Sequence, residues 1–334
     1  MDSYIRGIIQ TFSPNLAPLL TCGNVQIKCA YTTGDAWAQR LTEVCSCGVA
    51  VDLIILNSRL MFFVWRILMT MSSLVTKVDT SKEGETKFSY RLPTNEEFRQ
   101  IDVAFQMYSE TSPLTDELLD ELLVTYADAS PHFRSAVSLV TSHAELWMAL
   151  HEVAHILPES LVDESFVGKI VGLFNLRQER ARNWHEEIKA DFNGCYLLIK
   201  SITDRLQGEH VAPKDAAHQA LLLGFASATA AALVMEFLEF YKHGREEVVG
   251  LSFRNAVEWK THPPFLIRFE ALKLYGSALP KQNELSNVWG LAEPIWKLCN
   301  LLFYEYDKHK YGGLGHEHQP LEQILARHPD RPDG

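Results

Sequence analysis

Hydrophobic positions in the first third of the chain follow strand-like and helical spacings in turn. GVAVDLIIL, which begins at Gly48, is a short aliphatic run typical of a strand buried on both faces, and Leu60–Leu74 has helical length. Residues 24–31 (NVQIKCAY) and 87–92 (KFSYRL) alternate between polar and apolar side chains, which predicts two further strands. An amphipathic helix is predicted at the N-terminus, ending before Pro14.

After Thr94 the hydrophobic spacing is mostly helical. The pattern therefore predicts an α+β fold that is predominantly helical, with a small sheet. Residues 1–130 would form an N-terminal α/β portion packed on a helical portion over 131–311, and 312–334 a polar, mobile tail. The polar run 76–86 is predicted to be an exposed loop.

Composition describes an ordinary globular protein. The 334 residues are 47% hydrophobic and 22% charged, so the chain can bury a sizeable core without covalent crosslinks. A net charge of −11 gives no broad positive surface for a phosphate backbone, and no nucleic-acid partner is expected. Six scattered cysteines and an N-terminus without the features of a signal peptide predict a cytoplasmic protein.

Two apolar stretches raise the question of a membrane. Residues 49–75 are interrupted by Asp52, Arg59 and Arg66, which are costly at a bilayer centre. Residues 220–235 carry no charge but fall short of the ~20 residues that a spanning helix needs. Both stretches are predicted to lie in the core, and membrane association stays open as a less favoured alternative.

The strongest chemical signal is an HExxH pattern formed by His151, Glu152 and His155. Histidines four residues apart lie on one face of a helix, so both imidazoles can reach a single metal ion with Glu152 beside it. A catalytic zinc ion also needs a third protein ligand while keeping one position for water. The rest of the sequence must supply that ligand.

Glu187 and Asp191 form an ExxAD pattern that offers the missing ligand. On a helix the two carboxylates share a face, and the small Ala190 and Gly194 allow a neighbouring helix to approach closely. Glu187 can bind the metal, while Asp191 can accept the free ring N–H of a histidine ligand and fix its tautomer. A solvated charged helix face is the alternative interpretation of an isolated ExxAD.

Local capping signals suggest where these two helices begin and end. Ser142 with Glu145 has the form of a capping box before the HExxH pattern, and Pro158 discourages continuation of that helix. Asn183 with Glu186 has the same form before the ExxAD pattern. Both patterns are therefore predicted to lie on helices that begin at these caps.

A third pattern, THPPFLIRFEAL, begins at Thr261. Pro263 and Pro264 stiffen a turn, and a helix is predicted to start at Pro264 or just after it, with Arg268 near its first turn. Taken alone, the pattern is only a helix start.

In this order, HExxH, ExxAD and THPPxxxRxxxL resemble the gluzincin metallopeptidases of the HtpX and CAAX prenyl protease type, over residues 148–275. The resemblance implies a zincin-like metallopeptidase domain over 131–311, built around an HExxH helix and a small sheet. It implies a Zn²⁺ cofactor bound by His151, His155 and Glu187. The expected activity is that of a zinc metalloendopeptidase acting on a protein or peptide substrate.

The resemblance also assigns roles beyond the metal ligands. Glu152 would be the catalytic base, and His262 and Arg268 would line the substrate site. Many members of the family are embedded in membranes, whereas this chain lacks clear paired spanning helices, so their substrate class does not transfer. Substrate, trigger and oligomeric state stay open.

Two alternatives remain beside the peptidase. One is a catalytically inactive binding module that keeps the zincin fold around a structural zinc ion. The other is a protease similar to the Lit-type phage-exclusion peptidase, with one specific host protein as its substrate; that family shares the HExxH pattern.

Other candidate residues carry less weight. His185 faces away from Glu187 on a helix, which favours a surface role or an indirect one. Cys45 and Cys47 lack the spacing of a zinc knuckle and are predicted to be buried thiols, and His316 and His318 lie in the predicted tail. The sequence contains no P-loop and no GxGxxG pattern for a nucleotide cofactor.

Overall fold

A computed structural model describes residues 25–30, 37–41, 51–80, 86–109, 131–157, 160–173, 178–242, 263, 265–278 and 291–311. Its strands are β1 (Val25–Ala30), β2 (Trp37–Leu41), β3 (Val51–Asn57), β4 (Val75–Thr80) and β5 (Thr86–Tyr90). Its helices are α1 (Ser58–Ser73), α2 (Asn95–Ser109), α3 (Pro131–His155), α4 (Glu164–Gly172), α5 (Gln178–Gly208), α6 (Pro213–Lys242), α7 (Phe265–Ala278) and α8 (Ala292–Tyr311). The described part is predominantly helical with small sheets, as the hydrophobic pattern predicts.

The aliphatic run after Gly48 forms β3, the central strand of a three-stranded sheet. β3 pairs in parallel with β1 and antiparallel with β2. Ile54 and Leu56, which share one face of the strand, are fully buried, whereas Ile55 on the opposite face is only partly buried. The chain passes directly into α1, where the Asn57 side chain accepts a hydrogen bond from the Arg59 N–H at 3.0 Å. The strand and the helix predicted over 49–75 are both confirmed.

The polar run 76–86 was predicted to be a loop, and this is wrong for its first residues. Residues 75–80 form β4, which pairs antiparallel with the predicted strand β5. The Thr76 hydroxyl also donates to the carbonyl of Ser89 at 3.0 Å. Strand formation here depends on the partner strand, which a local count of polar residues does not register.

The helices pack around α6. This helix contacts α3, α5, α7 and α8. α1 lies between α2 and α3, and both α1 and α3 contact β3 of the sheet. By length and composition α6 contains one candidate membrane span, Pro213–Leu238, but 78% of its apolar window is buried within the protein. The alanines at its centre are fully buried against the other helices. Residues 220–235 therefore occupy the position of a core helix.

The caps predicted for the two motif helices are wrong, although the helices are present. α3 begins at Pro131, and α5 begins at Gln178, so both capping patterns lie inside helices. Proline suits the first helical position because its missing N–H has no intrahelical partner there. Upstream of the two caps, Val140 and Ala181 are partly buried against the hydrophobic core, and this packing favours a helix that extends past the local signal. α3 ends at His155, before Pro158, and α7 starts at Phe265, both as predicted.

Gly194 allows α5 to approach α3 very closely. A Cβ atom added to Gly194 would lie 3.0 Å from the backbone nitrogen of His151 and 3.2 Å from its Cα. This is tighter than ordinary van der Waals contact, so the backbone of α3 would have to move by a few tenths of an ångström to admit a methyl group. The contact fixes the spacing of the two helices at the residue that opens the HExxH pattern.

Several predictions lie outside the described residues: the N-terminal helix, the tail over 312–334, Cys45, Cys47, His316 and His318.

Gly194→Ala should lower the free energy of unfolding by about 1–3 kcal/mol, because the added methyl group forces α3 and α5 apart. Gly168→Ala is the matched control, since Gly168 is also helical but a Cβ there meets no atom within 4 Å. The control should be neutral or stabilising by up to ~1 kcal/mol, because alanine favours helix. Urea unfolding of both variants measures the difference, and equal stability of the two would contradict the close contact.

Candidate metal centre

The two histidines of the HExxH pattern lie one turn apart in the last turns of α3. Their Nε2 atoms are 3.1 Å from each other, and the rings are almost perpendicular, at 87°. Both Nε2 lone pairs can therefore be directed at one point beside the helix.

Glu187 reaches the same point from α5. One of its carboxylate oxygens lies 3.5 Å from Nε2 of His151, and the other lies 3.6 Å from Nε2 of His155. Ligands of tetrahedral zinc, at bonds of 2.0–2.1 Å, are separated by about 3.3 Å. The three side chains thus stand at the mutual distances that a single bound ion requires, and they form the one group of this kind in the described residues.

The centre is closed on one side and open on the other. His151 and Glu187 are buried, whereas 26% of the His155 side chain is exposed. Among the described residues no fourth histidine, cysteine or carboxylate joins the group. Three protein ligands with an accessible side are typical of a catalytic zinc site, while structural sites close the shell with four.

Asp191 holds the other ring nitrogen of His151. Its Oδ1 lies 2.9 Å from Nδ1 of His151, and the carboxylate is fully buried. A carboxylate accepts a hydrogen bond from the protonated Nδ1, which leaves the Nε2 lone pair for a metal. The structure thus places Asp191 where the ExxAD spacing predicts it.

Arg268 forms a two-pronged ion pair with Asp191. Its Nε donates to Oδ2 at 2.8 Å and its Nη2 donates to Oδ1 at 2.5 Å. Nη2 also lies 3.2 Å from Nδ1 of His151, but a protonated Nδ1 cannot accept a hydrogen bond, so the pairing is with Asp191. The resemblance implies that Arg268 lines the substrate site; in the structure the guanidinium is buried behind His151.

The pKa values of the two histidines move in opposite directions. Burial and the Arg268 charge oppose protonation of His151, but the hydrogen bonds to Asp191 and Glu187 outweigh them and raise its pKa to about 9. Burial, together with the adjacent His151, lowers the pKa of His155 to about 4. Burial alone would raise the pKa of Asp191, yet Arg268 and His151 hold it below its usual value. The group of side chains therefore favours one positive charge, on His151, and disfavours a second one on His155.

Trp147 and Asn193 belong to the surroundings of the centre but were not predicted. The Trp147 ring lies 6.0 Å from the His151 ring and 5.8 Å from the Arg268 guanidinium carbon. Its position four residues before His151 was a signal that could have identified it. The Asn193 side chain accepts a hydrogen bond from the Leu161 N–H at 2.9 Å and so ties the segment after α3 to α5. No sequence spacing indicates that contact.

The remaining predicted residues are placed as follows. Glu152 directly follows His151 and is 9% exposed. His185 is partly exposed with its Nδ1 3.7 Å from the carboxylate of Glu186, on a different face of α5 from Glu187. His262 lies outside the described residues.

Comparison with protein-family models, with curated proteins and with solved structures finds no match to this chain.

The purified protein should bind one equivalent of zinc, and Glu187→Ala should weaken that binding because it removes one of three ligands. We expect a loss greater than the ~10–100-fold that removal of a ligand's hydrogen-bond partner typically causes. Glu186→Ala is the matched control, because this neighbour is half-exposed and pairs with Lys189 at 2.6 Å. Competition with a chromophoric chelator measures both affinities. Equal affinities for the two variants would remove Glu187 from the ligand set.

Proposed function

We propose that this protein is a zinc-dependent metallopeptidase with a zincin-like catalytic domain. The observation that supports the proposal best is the convergence of His151, His155 and Glu187, from two helices, at distances that suit one zinc ion. The order of the HExxH, ExxAD and THPPxxxR patterns in the sequence supports the same conclusion by resemblance.

The donor set fits zinc better than the hard cations. Two imidazole nitrogens and one carboxylate suit zinc, whereas magnesium and calcium prefer oxygen ligands. Zinc held by these side chains would lower the pKa of a bound water molecule to about 7 and polarise a carbonyl group.

Glu152 is the residue to which we assign proton transfer. It follows His151 on the same helix, and its side chain is largely buried. A carboxylate in this position can take a proton from the attacking water and deliver it to the leaving nitrogen of a peptide bond. General acid–base catalysis of this kind typically contributes ~10²–10⁴-fold to the rate.

The oxyanion of the reaction also needs a partner. We assign that role to the zinc ion together with His262, which by resemblance lines the substrate site; the role of His262 stays a prediction because the residue lies outside the described range. Asp191 contributes indirectly, since it keeps the His151 ring in one tautomer and one orientation.

The inactive binding module remains the alternative from a different functional class. A structural zinc ion would be expected to have a closed shell of four ligands, and the exposed His155 does not favour it. A Lit-like protease would use the same centre and differ only in its substrate, a single host protein. A cytoplasmic location and a protein or peptide substrate are part of the proposal.

Glu152→Gln should bind zinc like the wild type and lose at least ~100-fold of the cleavage rate, because the amide cannot accept the proton of water. His151→Ala should lose both zinc and cleavage. The assay uses casein or a library of quenched fluorescent peptides, with 1,10-phenanthroline to remove the metal and added zinc to restore it.

Glu145→Gln serves as a control on the same helix, two turns before Glu152, and should leave the cleavage rate unchanged. A zinc-bound Glu152→Gln protein with the turnover of the wild type would disprove the assigned role.

A further inference from the structure

We propose that Arg268 is a positioning residue of the metal centre, which acts on His151 through Asp191 and does not contact the substrate. The inference depends on the metal centre of the proposed function but not on peptidase activity. It goes beyond the resemblance, which implies a place for Arg268 in the substrate site.

The first step concerns Asp191, whose carboxylate is fully buried between helices. A buried carboxylate without a cationic partner is strongly unfavourable, since neither water nor the protein balances its charge. One hydrogen bond from His151 does not supply a full positive charge while the imidazole is a neutral metal ligand. A permanent cation is needed beside Asp191, and Arg268 provides it from α7.

The second step concerns geometry. The guanidinium binds both oxygens of Asp191, and the oxygen that receives Nη2 is the one that lies 2.9 Å from Nδ1 of His151. A two-pronged pair fixes the plane of the carboxylate, and the carboxylate in turn fixes the ring of His151. Trp147 contributes to the arrangement because it packs against both the guanidinium and the His151 ring. Three helices thus determine the direction of one Nε2 lone pair.

The third step separates two effects of opposite sign. Arg268 supports the carboxylate that orients His151, which should strengthen zinc binding. Its charge also lies 3.2 Å from Nδ1 of the same ring, and a cation near a metal ion weakens binding by repulsion. The direction in which the zinc affinity changes when Arg268 is replaced shows which effect dominates. The fork-like pairing with Asp191 leads us to expect that support dominates.

The test measures the zinc dissociation constant of Arg268→Gln and Arg268→Lys by chelator competition at pH 7.5. Arg268→Gln should bind zinc about 10–100-fold more weakly, the usual effect of losing a partner of a ligand. Arg268→Lys should recover part of the loss, because lysine keeps the charge but not the planar fork. Lys273→Gln, an exposed charge on the same helix, is the control and should bind zinc normally.

A double-mutant cycle with Asp191→Asn tests whether Arg268 acts through Asp191. In the Asp191→Asn background Arg268 is a buried cation near the metal without its carboxylate, so adding Arg268→Gln should tighten zinc binding or leave it unchanged. If the double variant lost zinc affinity by the product of the two single-variant losses, the inference would be overturned. Thermal unfolding of each variant confirms that the protein is folded.

The remaining outcomes are distinct. An unchanged zinc affinity of Arg268→Gln with a raised KM would make Arg268 a substrate contact and overturn the inference, while the proposed function stands. A tighter affinity would show that repulsion dominates and overturn it as well. If the wild type binds zinc and the cycle behaves as expected but no peptide is cleaved, the proposed function fails and the inference stands. A wild type without zinc affinity overturns both.

Discussion

The contact between α3 and α5 at Gly194 is the constraint on which the centre depends. Glu187, Asp191 and Gly194 stand at positions i, i+4 and i+7 of α5, so they form one stripe that faces α3. Gly194 brings the helix axes close enough for the other two residues to reach opposite nitrogens of His151.

The charges of this stripe favour a positive charge beside Glu187. Two buried carboxylates face one guanidinium and two imidazoles, so the fixed charges leave a negative excess on the side of Glu187. In the protein without metal, protonation of His151 balances part of this negative charge. The hydrogen bonds of His151 to Asp191 and Glu187 accordingly raise its pKa to about 9. A metal ion would displace that proton and balance the negative charge more completely. Metal binding would therefore also stabilise the contact between α3 and α5.

The sequence predicts features that lie within one helix better than features that join two. His151 with His155, and Glu187 with Asp191, are spaced by one turn, and periodicity alone places each pair on one face. The ion pair between Asp191 and Arg268 spans 77 residues, and no local spacing encodes it. β4 was missed for a related reason, because its backbone is satisfied by β5 and its own composition is polar.

The same packing decides from which side the centre can be reached. Nδ1 of His151 pairs with Asp191, and its Nε2 faces Glu187. Glu187 itself is buried. His155 is the exposed member, at the end of α3, where the chain leaves the helix and Leu161 is tied back to α5 by Asn193. Leu161 is therefore held by the same helix that supplies Glu187. The same stretch of α5 thus carries both Glu187, which converges on the two histidines, and Asn193, which anchors the chain after α3, and a functional group on such a packed helix is held more precisely than one on a loop.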